Sequence, residues 1–69
     1  MKKQETTGEK VRGFRKDRNM TQAELSGRAG ISPVTLVRLE YDRHKPNLAT
    51  LKCLADALVV PVEELMGDK

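Results

Sequence analysis

From Gly8 onward the apolar positions recur at intervals of three and four residues, the period of a helix with one buried face. No stretch alternates polar and apolar residues for long enough to make a strand, so the pattern predicts an all-α chain. Val11 and Phe14 mark the buried face of a first helix over about residues 8–18, and Asn19 tolerates the left-handed conformation that would end it. A second helix is expected over 22–29 and a third over 33–41, the third burying Leu36 and Leu39. Leu48, Leu51, Leu54, Ala55 and Leu58 form the stripe of a fourth helix and are all expected to face the core. Val59-Val-Pro61 interrupts, and Val62 to Met66 is long enough for one or two further turns, so five short helices are expected. Residues 1–7 are polar, offer nothing to bury and read as a flexible arm; residues 8–66 form the domain, and 67–69 a polar end.

The polar residues at the helix starts sharpen this outline. In Met20-Thr-Gln-Ala-Glu-Leu25, the Thr21 hydroxyl can accept from the Glu24 N–H while the Glu24 carboxylate reaches back, and Met20 can pack on Leu25 across the cap. Ile31-Ser-Pro-Val-Thr-Leu36 repeats the device, with Ser32 as N-cap and Pro33 at the first helical position, where no N–H is needed. The two caps lie eleven residues apart, so the second helix must stop at Gly30 and turn sharply, a use for glycine's access to positive φ. The result is a helix, a tight turn and a helix. Asp42-Arg-His-Lys-Pro46 is a polar loop, and Asn47 caps the fourth helix.

Composition limits what such a chain can do. Sixty-nine residues with 38% apolar side chains, no Trp, one Tyr and one Phe make one domain with a small aliphatic core and little room for a buried catalytic pocket. An enzyme is not expected: there is one His, one Cys and no convergent carboxylate pair. The formal charge is +3, but through residue 45 there are eleven basic and six acidic side chains, against two and four beyond it. The positive excess therefore lies in the first two thirds, which suits a polyanionic partner. Cys53 is alone and projects about 140° round its helix from Leu48, so it reads as an incidental, partly exposed thiol rather than a disulfide or metal ligand. His44 has no second His or Cys near it in sequence, so no metal or other cofactor is expected. No apolar run approaches the roughly 20 residues of a membrane helix and no signal peptide opens the chain, which fits a cytoplasmic protein.

The residues Thr21-Gln-Ala-Glu-Leu-Ser26, Gly30-Ile-Ser32, Leu36, Leu39-Glu40, Pro46, Leu51, Leu54-Ala55 and Leu58 resemble the DNA-binding domain of the Cro and phage-repressor family, also called the xenobiotic-response-element type. The resemblance covers roughly Gly8 to Leu65 without gaps. It implies a lambda-repressor-like five-helix domain of bacterial or phage origin, with a helix-turn-helix at helices 2 and 3, that binds double-stranded DNA as a homodimer on a palindromic operator. It further implies that Gln22 binds a phosphate at the start of helix 2, that Ser32, Thr35, Tyr41, Arg43 and Lys45 fall where the backbone is touched, and that Arg15 and Glu40 form a structural ion pair. Asp42 and Val59 stand where glycine often ends helices 3 and 4, and valine suits the left-handed region poorly, so an irregular exit from helix 4 is expected. Pro33 stands where the family often carries a long polar side chain.

The residues themselves point the same way. With Leu36 and Leu39 buried, Pro33, Val34, Val37 and Arg38 remain on the outward side of helix 3 as candidate base readers. Arg38 can offer a fork of donors to guanine O6 and N7, while Val34 and Pro33 can rest against a thymine methyl. The helix start at Thr21-Gln22 offers unpaired N–H groups to phosphate. Arg43, His44 and Lys45 make a local basic cluster, which on its own is also what a solvated loop looks like. Val60, Val62, Leu65 and Met66 are more apolar than a free tail requires and are the candidate dimer surface, with packing over the core as the equal alternative. The function expected is transcriptional regulation, with repression as its form, without a catalytic step or a small-molecule ligand; an antitoxin-like or adaptor subunit bound mainly to another protein is the alternative, separated by pull-down against DNA shift.

Overall fold

The computed structural model describes residues 5–43 and 45–66. Four α-helices, α1 (Thr7–Asp17), α2 (Gln22–Ala29), α3 (Pro33–Glu40) and α4 (Leu48–Leu58), are followed by a 3₁₀ turn at Val62–Glu64. Among the described residues there is no strand.

The five helices expected are therefore four and a turn. Pro61 holds an extended conformation at φ −64° and ψ 145°, and only three residues follow before Leu65 turns into the core. Over so short a span the chain closes with Glu64 N–H to Pro61 O at 2.9 Å and Leu65 N–H to Val62 O at 3.0 Å, the tight pattern that does not propagate.

Each α-helix start is fixed by a side chain. Thr21 accepts from Glu24 N–H at 3.0 Å and its own N–H donates to Glu24 Oε1 at 2.8 Å. The same reciprocal box opens α1, where Thr6 accepts from Glu9 N–H at 3.1 Å and its N–H donates to Glu9 Oε1 at 2.9 Å. The first helix accordingly begins at Thr7, and the boundary expected after residue 7 falls too late, since Thr6 and Thr7 belong to the fold. Residues 1–4, His44 and 67–69 lie outside the described residues. Ser32 caps α3 with Pro33 in its first turn, and Asn47 caps α4 by accepting from Thr50 N–H at 2.8 Å.

All four helices leave by one route. Asn19, Gly30, Asp42 and Val59 take positive φ of 55°, 74°, 60° and 60°. The residue after each donates back five positions: Met20 to Arg15 O, Ile31 to Ser26 O, Arg43 to Arg38 O and Val60 to Ala55 O, at 2.8–3.1 Å. The exit from α4 is regular, contrary to expectation, and the misfit of valine is carried as backbone strain instead.

Val11, Met20, Leu25, Leu36, Leu39, Leu51, Leu54, Leu58 and Leu65 meet in one aliphatic core with Ala29 and Ala55. Phe14 is only half-buried, roofed by the Arg18 guanidinium 5.2 Å from its ring centre. Leu48 departs from its expected place in the core stripe: it is exposed. A helical side chain covers the turn before it, and before Leu48 there is only the polar loop ending at the Asn47 cap. α2 packs on α3 and α4, while α1 lies against α3 and α4. Where α1 starts, buried Gly8 touches the end of α3 so closely that a Cβ there would collide with Leu39 O and stand 2.7 Å from Asp42 Oδ1. The Thr6 hydroxyl donates to Asp42 Oδ2 at 2.9 Å across the same seam. No helix is long and apolar enough to cross a membrane among the described residues.

Candidate nucleic-acid interface

α3 is held from both sides. Leu36 and Leu39 are buried on its inner face. Its remaining buried residue, Glu40, is an acid: its side chain is 0% exposed and that of Arg15 10%. Arg15 Nε donates to Glu40 Oε2 at 2.7 Å, Nη2 to Oε1 at 3.1 Å, and Nη1 to the Met20 carbonyl at 2.9 Å. This is the two-pronged geometry that arginine makes with a carboxylate, and it ties α1 to the end of α3 and to the turn before α2. No buried side-chain polar atom is left without a partner among the described residues.

Gln22 joins the pair through Nε2, which donates to Glu40 Oε1 at 3.0 Å. Its amide is therefore fixed at the start of α2, half-buried, with one N–H still to place. Thr21 and Ser32 are exposed at the two caps and Thr35 is half-buried. Ser32 Oγ accepts from Val34 N–H at 3.1 Å and Thr35 N–H at 3.5 Å, which leaves its own hydroxyl hydrogen to donate outward.

The face opposite Leu36 and Leu39 is open. Pro33, Val34 and Arg38 are exposed, Val34 to 58%, and Val37 is half-buried between them. At 100° per residue, positions 34, 37, 38 and 41 fall on one side, so Tyr41, 59% exposed, continues this surface past the last turn. Arg43 and Lys45 are exposed in the loop that follows. Of the side chains expected to face a partner, Val34, Val37, Arg38 and Tyr41 share one side of α3, and Pro33, Arg43 and Lys45 are exposed beside it. Among the described residues no group of three His, Cys, Asp or Glu side chains gathers as it would around a metal ion.

The expected dimer surface does not hold together as proposed. Leu65 is fully buried in the core and is not available to a partner. Val60 and Val62 are half-buried against that core, and Met66 is exposed beside them. The segment is apolar first because the turn must cover the base of α4.

Two contributions escaped the sequence reading. The box Thr6-Thr-Gly-Glu9 has the spacing of Thr21 to Glu24 and was there to be read; its polar neighbours disguised it. Arg12 on α1 lies over the Tyr41 ring, 5.6 Å from its centre. Its signal is the spacing 8, 12, 15, which puts Gly8, Arg12 and Arg15 on one face of α1.

Two helices crossing at a tight glycine turn, the second short, capped and open on its far side, define a helix-turn-helix. The chain belongs to the helix-turn-helix family, which it matches over residues 11–65. It is 36% identical over 64 residues to the immunity repressor protein of Bacillus phage phi105, an alignment covering 93% of this chain and 44% of the relative. It is 40% identical over 63 residues to the HTH-type transcriptional repressor RghR of Bacillus subtilis, covering 90% of this chain and 47% of the relative. The chain spans a little under half the length of these relatives. Among solved structures, the P22 c2 repressor in complex with a synthetic operator superposes with a TM-score of 0.84 at 31% identity, covering 90% of this chain and 94% of that one.

Proposed function

We propose that this chain is the operator-reading module of a transcriptional repressor: it binds double-stranded DNA with α3 in the major groove and acts as a homodimer on a two-fold related site. The observation that carries this is the outward face of α3, where Val34, Val37 and Arg38 stand open to a partner on a helix clamped from behind by the buried Arg15–Glu40 pair. The repressor relatives and the operator-bound P22 c2 structure support the reading.

Within it, Arg38 reads a guanine edge, and Pro33, Val34 and Val37 meet the groove through shape and thymine methyls. Gln22, held by Glu40, turns its second N–H to a phosphate, with Thr21, Ser32, Thr35, Tyr41, Arg43 and Lys45 around it. The domain runs from Thr6 to Met66, and the dimer surface centres on Met66, Val60 and Val62, with 84% exposed Val59 at their side. In that arrangement the two copies of α3 stand about 34 Å apart, one helical turn of DNA.

Binding-site selection from random duplexes tests the proposal, and a palindromic preference is the expected result. Arg38→Ala then loses discrimination at one base position by about 1–3 kcal/mol, while Lys45→Ala weakens all duplexes alike and flattens the salt slope by about one unit. A chain that enriches no sequence and shifts no duplex at low salt refutes the proposal.

A further inference from the structure

The end of α3 poses an electrostatic problem for a helix that lies against DNA. It carries the negative end of the helix dipole, and Glu40 and Asp42 both sit there. Arg15 neutralises Glu40, but Asp42 meets only the Thr6 hydroxyl among the described residues. A phosphate approaching this end therefore needs cations on each side: Arg38 and the loop residues Arg43 and Lys45 lie on α3's own segment, and the side toward α1 needs another.

α1 supplies one. Its face of Gly8, Arg12 and Arg15 runs along the end of α3, with Gly8 against the Leu39 and Glu40 carbonyls, Arg15 on Glu40 and Arg12 on Tyr41. Arg12 makes no ion pair among the described residues. A guanidinium centred over an aromatic ring is held by the ring's negative face, and its N–H donors that make no ion pair can still turn to an anion. The ring it rests on is the exposed one that continues the open face of α3.

Building on the proposed DNA-binding function, we infer that Arg12 is a phosphate-binding residue of the interface and forms, with the Tyr41 hydroxyl, a clamp for one backbone phosphate at the C-terminal end of α3. α1 then has two tasks: Arg15 holds the reading helix from inside, and Arg12, one turn earlier, grips the strand beside it. Tyr41 serves as the platform that aims the guanidinium, so the interface extends beyond the helix-turn-helix itself.

The test is the salt dependence of duplex binding by the full chain carrying Arg12→Gln, Arg12→Lys or Tyr41→Ala, with thermal unfolding measured alongside. One lost phosphate contact lowers the slope of log K against log salt by about 0.9, so between 50 and 200 mM salt R12Q loses about 3- to 4-fold less affinity than the parent. The loss at low salt is equal on preferred and random duplexes. R12K retains the slope while binding more weakly, and Y41A combined with R12Q weakens binding by less than the product of the two separate effects. An R12Q protein that unfolds earlier but keeps the parental slope shows a purely structural stack and overturns the inference. A parent that binds no duplex overturns the underlying reading, a result distinct from a binding parent with an unaltered R12Q slope.

Discussion

Arginine 15 gives the sharpest test of how the reading helix is held. Arg15→Met keeps much of the side chain's volume and removes the charge, leaving the Glu40 carboxylate, 0% exposed, with only the Gln22 amide as a partner. Stranding one member of a buried pair costs about 3–5 kcal/mol, and Arg15 at 10% exposure is too enclosed for solvent screening to shrink that much. Losing the bond to the Met20 carbonyl adds to the damage at the turn before α2. A chain of 69 residues has roughly 3–10 kcal/mol of total stability, so R15M is expected at or near the point of unfolding at 25 °C. In R15M/E40M no charge remains to strand, and the double variant is expected to recover at least 2 kcal/mol relative to R15M. Urea denaturation followed by helical circular dichroism, on the parent, both singles and the double, measures the coupling. A loss below about 1 kcal/mol in R15M, or a double variant as unstable as the sum of the singles, refutes the assignment of the pair as the clamp on α3.

Two glycine-related changes probe the ends of helices. Val59 is a β-branched residue at φ 60° whose side chain is 84% exposed, so Val59→Gly relieves about 1–2 kcal/mol of strain, loses little burial and raises unfolded-state entropy. The net gain expected is about 0.5–1 kcal/mol, visible as a melting temperature several degrees higher; a fall would show that the valine is gripped by contacts the exposed surface does not reveal. Gly8→Ala drives a methyl into the Leu39 carbonyl and against Asp42, and must part α1 from the end of α3, at about 1–3 kcal/mol in urea titration. An unchanged midpoint would mean that the seam yields freely.

What was legible in the sequence was whatever a short run of residues decides alone. Thr21 with Glu24, Ser32 with Pro33, Asn47 and Gly30 name their places because a cap or a left-handed residue is a local device, and the structure has each where it was read. The pairing of Arg15 with Glu40 came from family likeness, since a separation of 25 residues carries no local signal. The misreadings share a cause. Val62 to Met66 and Leu48 have helical, apolar patterns, yet their fates depend on what lies beside them: Leu65 finds the base of α4, and Leu48 finds no preceding turn to cover. The dimer surface failed at Leu65 for the same reason, because an apolar residue does not declare whether it faces its own core or another chain. Arg12 was overlooked because its partner on α3 becomes its neighbour only once Gly8 lets the two helices close.

The placement of α3 bears on how so small a domain can grip a partner at all. Eight residues are too few to hold a helix in water unaided. Its inner face is pinned by Leu36 and Leu39, its start by Ser32, its end by Arg15, with Gly8 and Arg12 of α1 pressed against the same end. The helix is thus held in place before any partner arrives, and only the outward side chains remain to be ordered. A helix already fixed in its bound conformation does not spend binding energy on its own ordering. A module whose core among the described residues numbers eleven side chains can therefore devote its few contacts to the partner, provided that the buried ion pair stays intact.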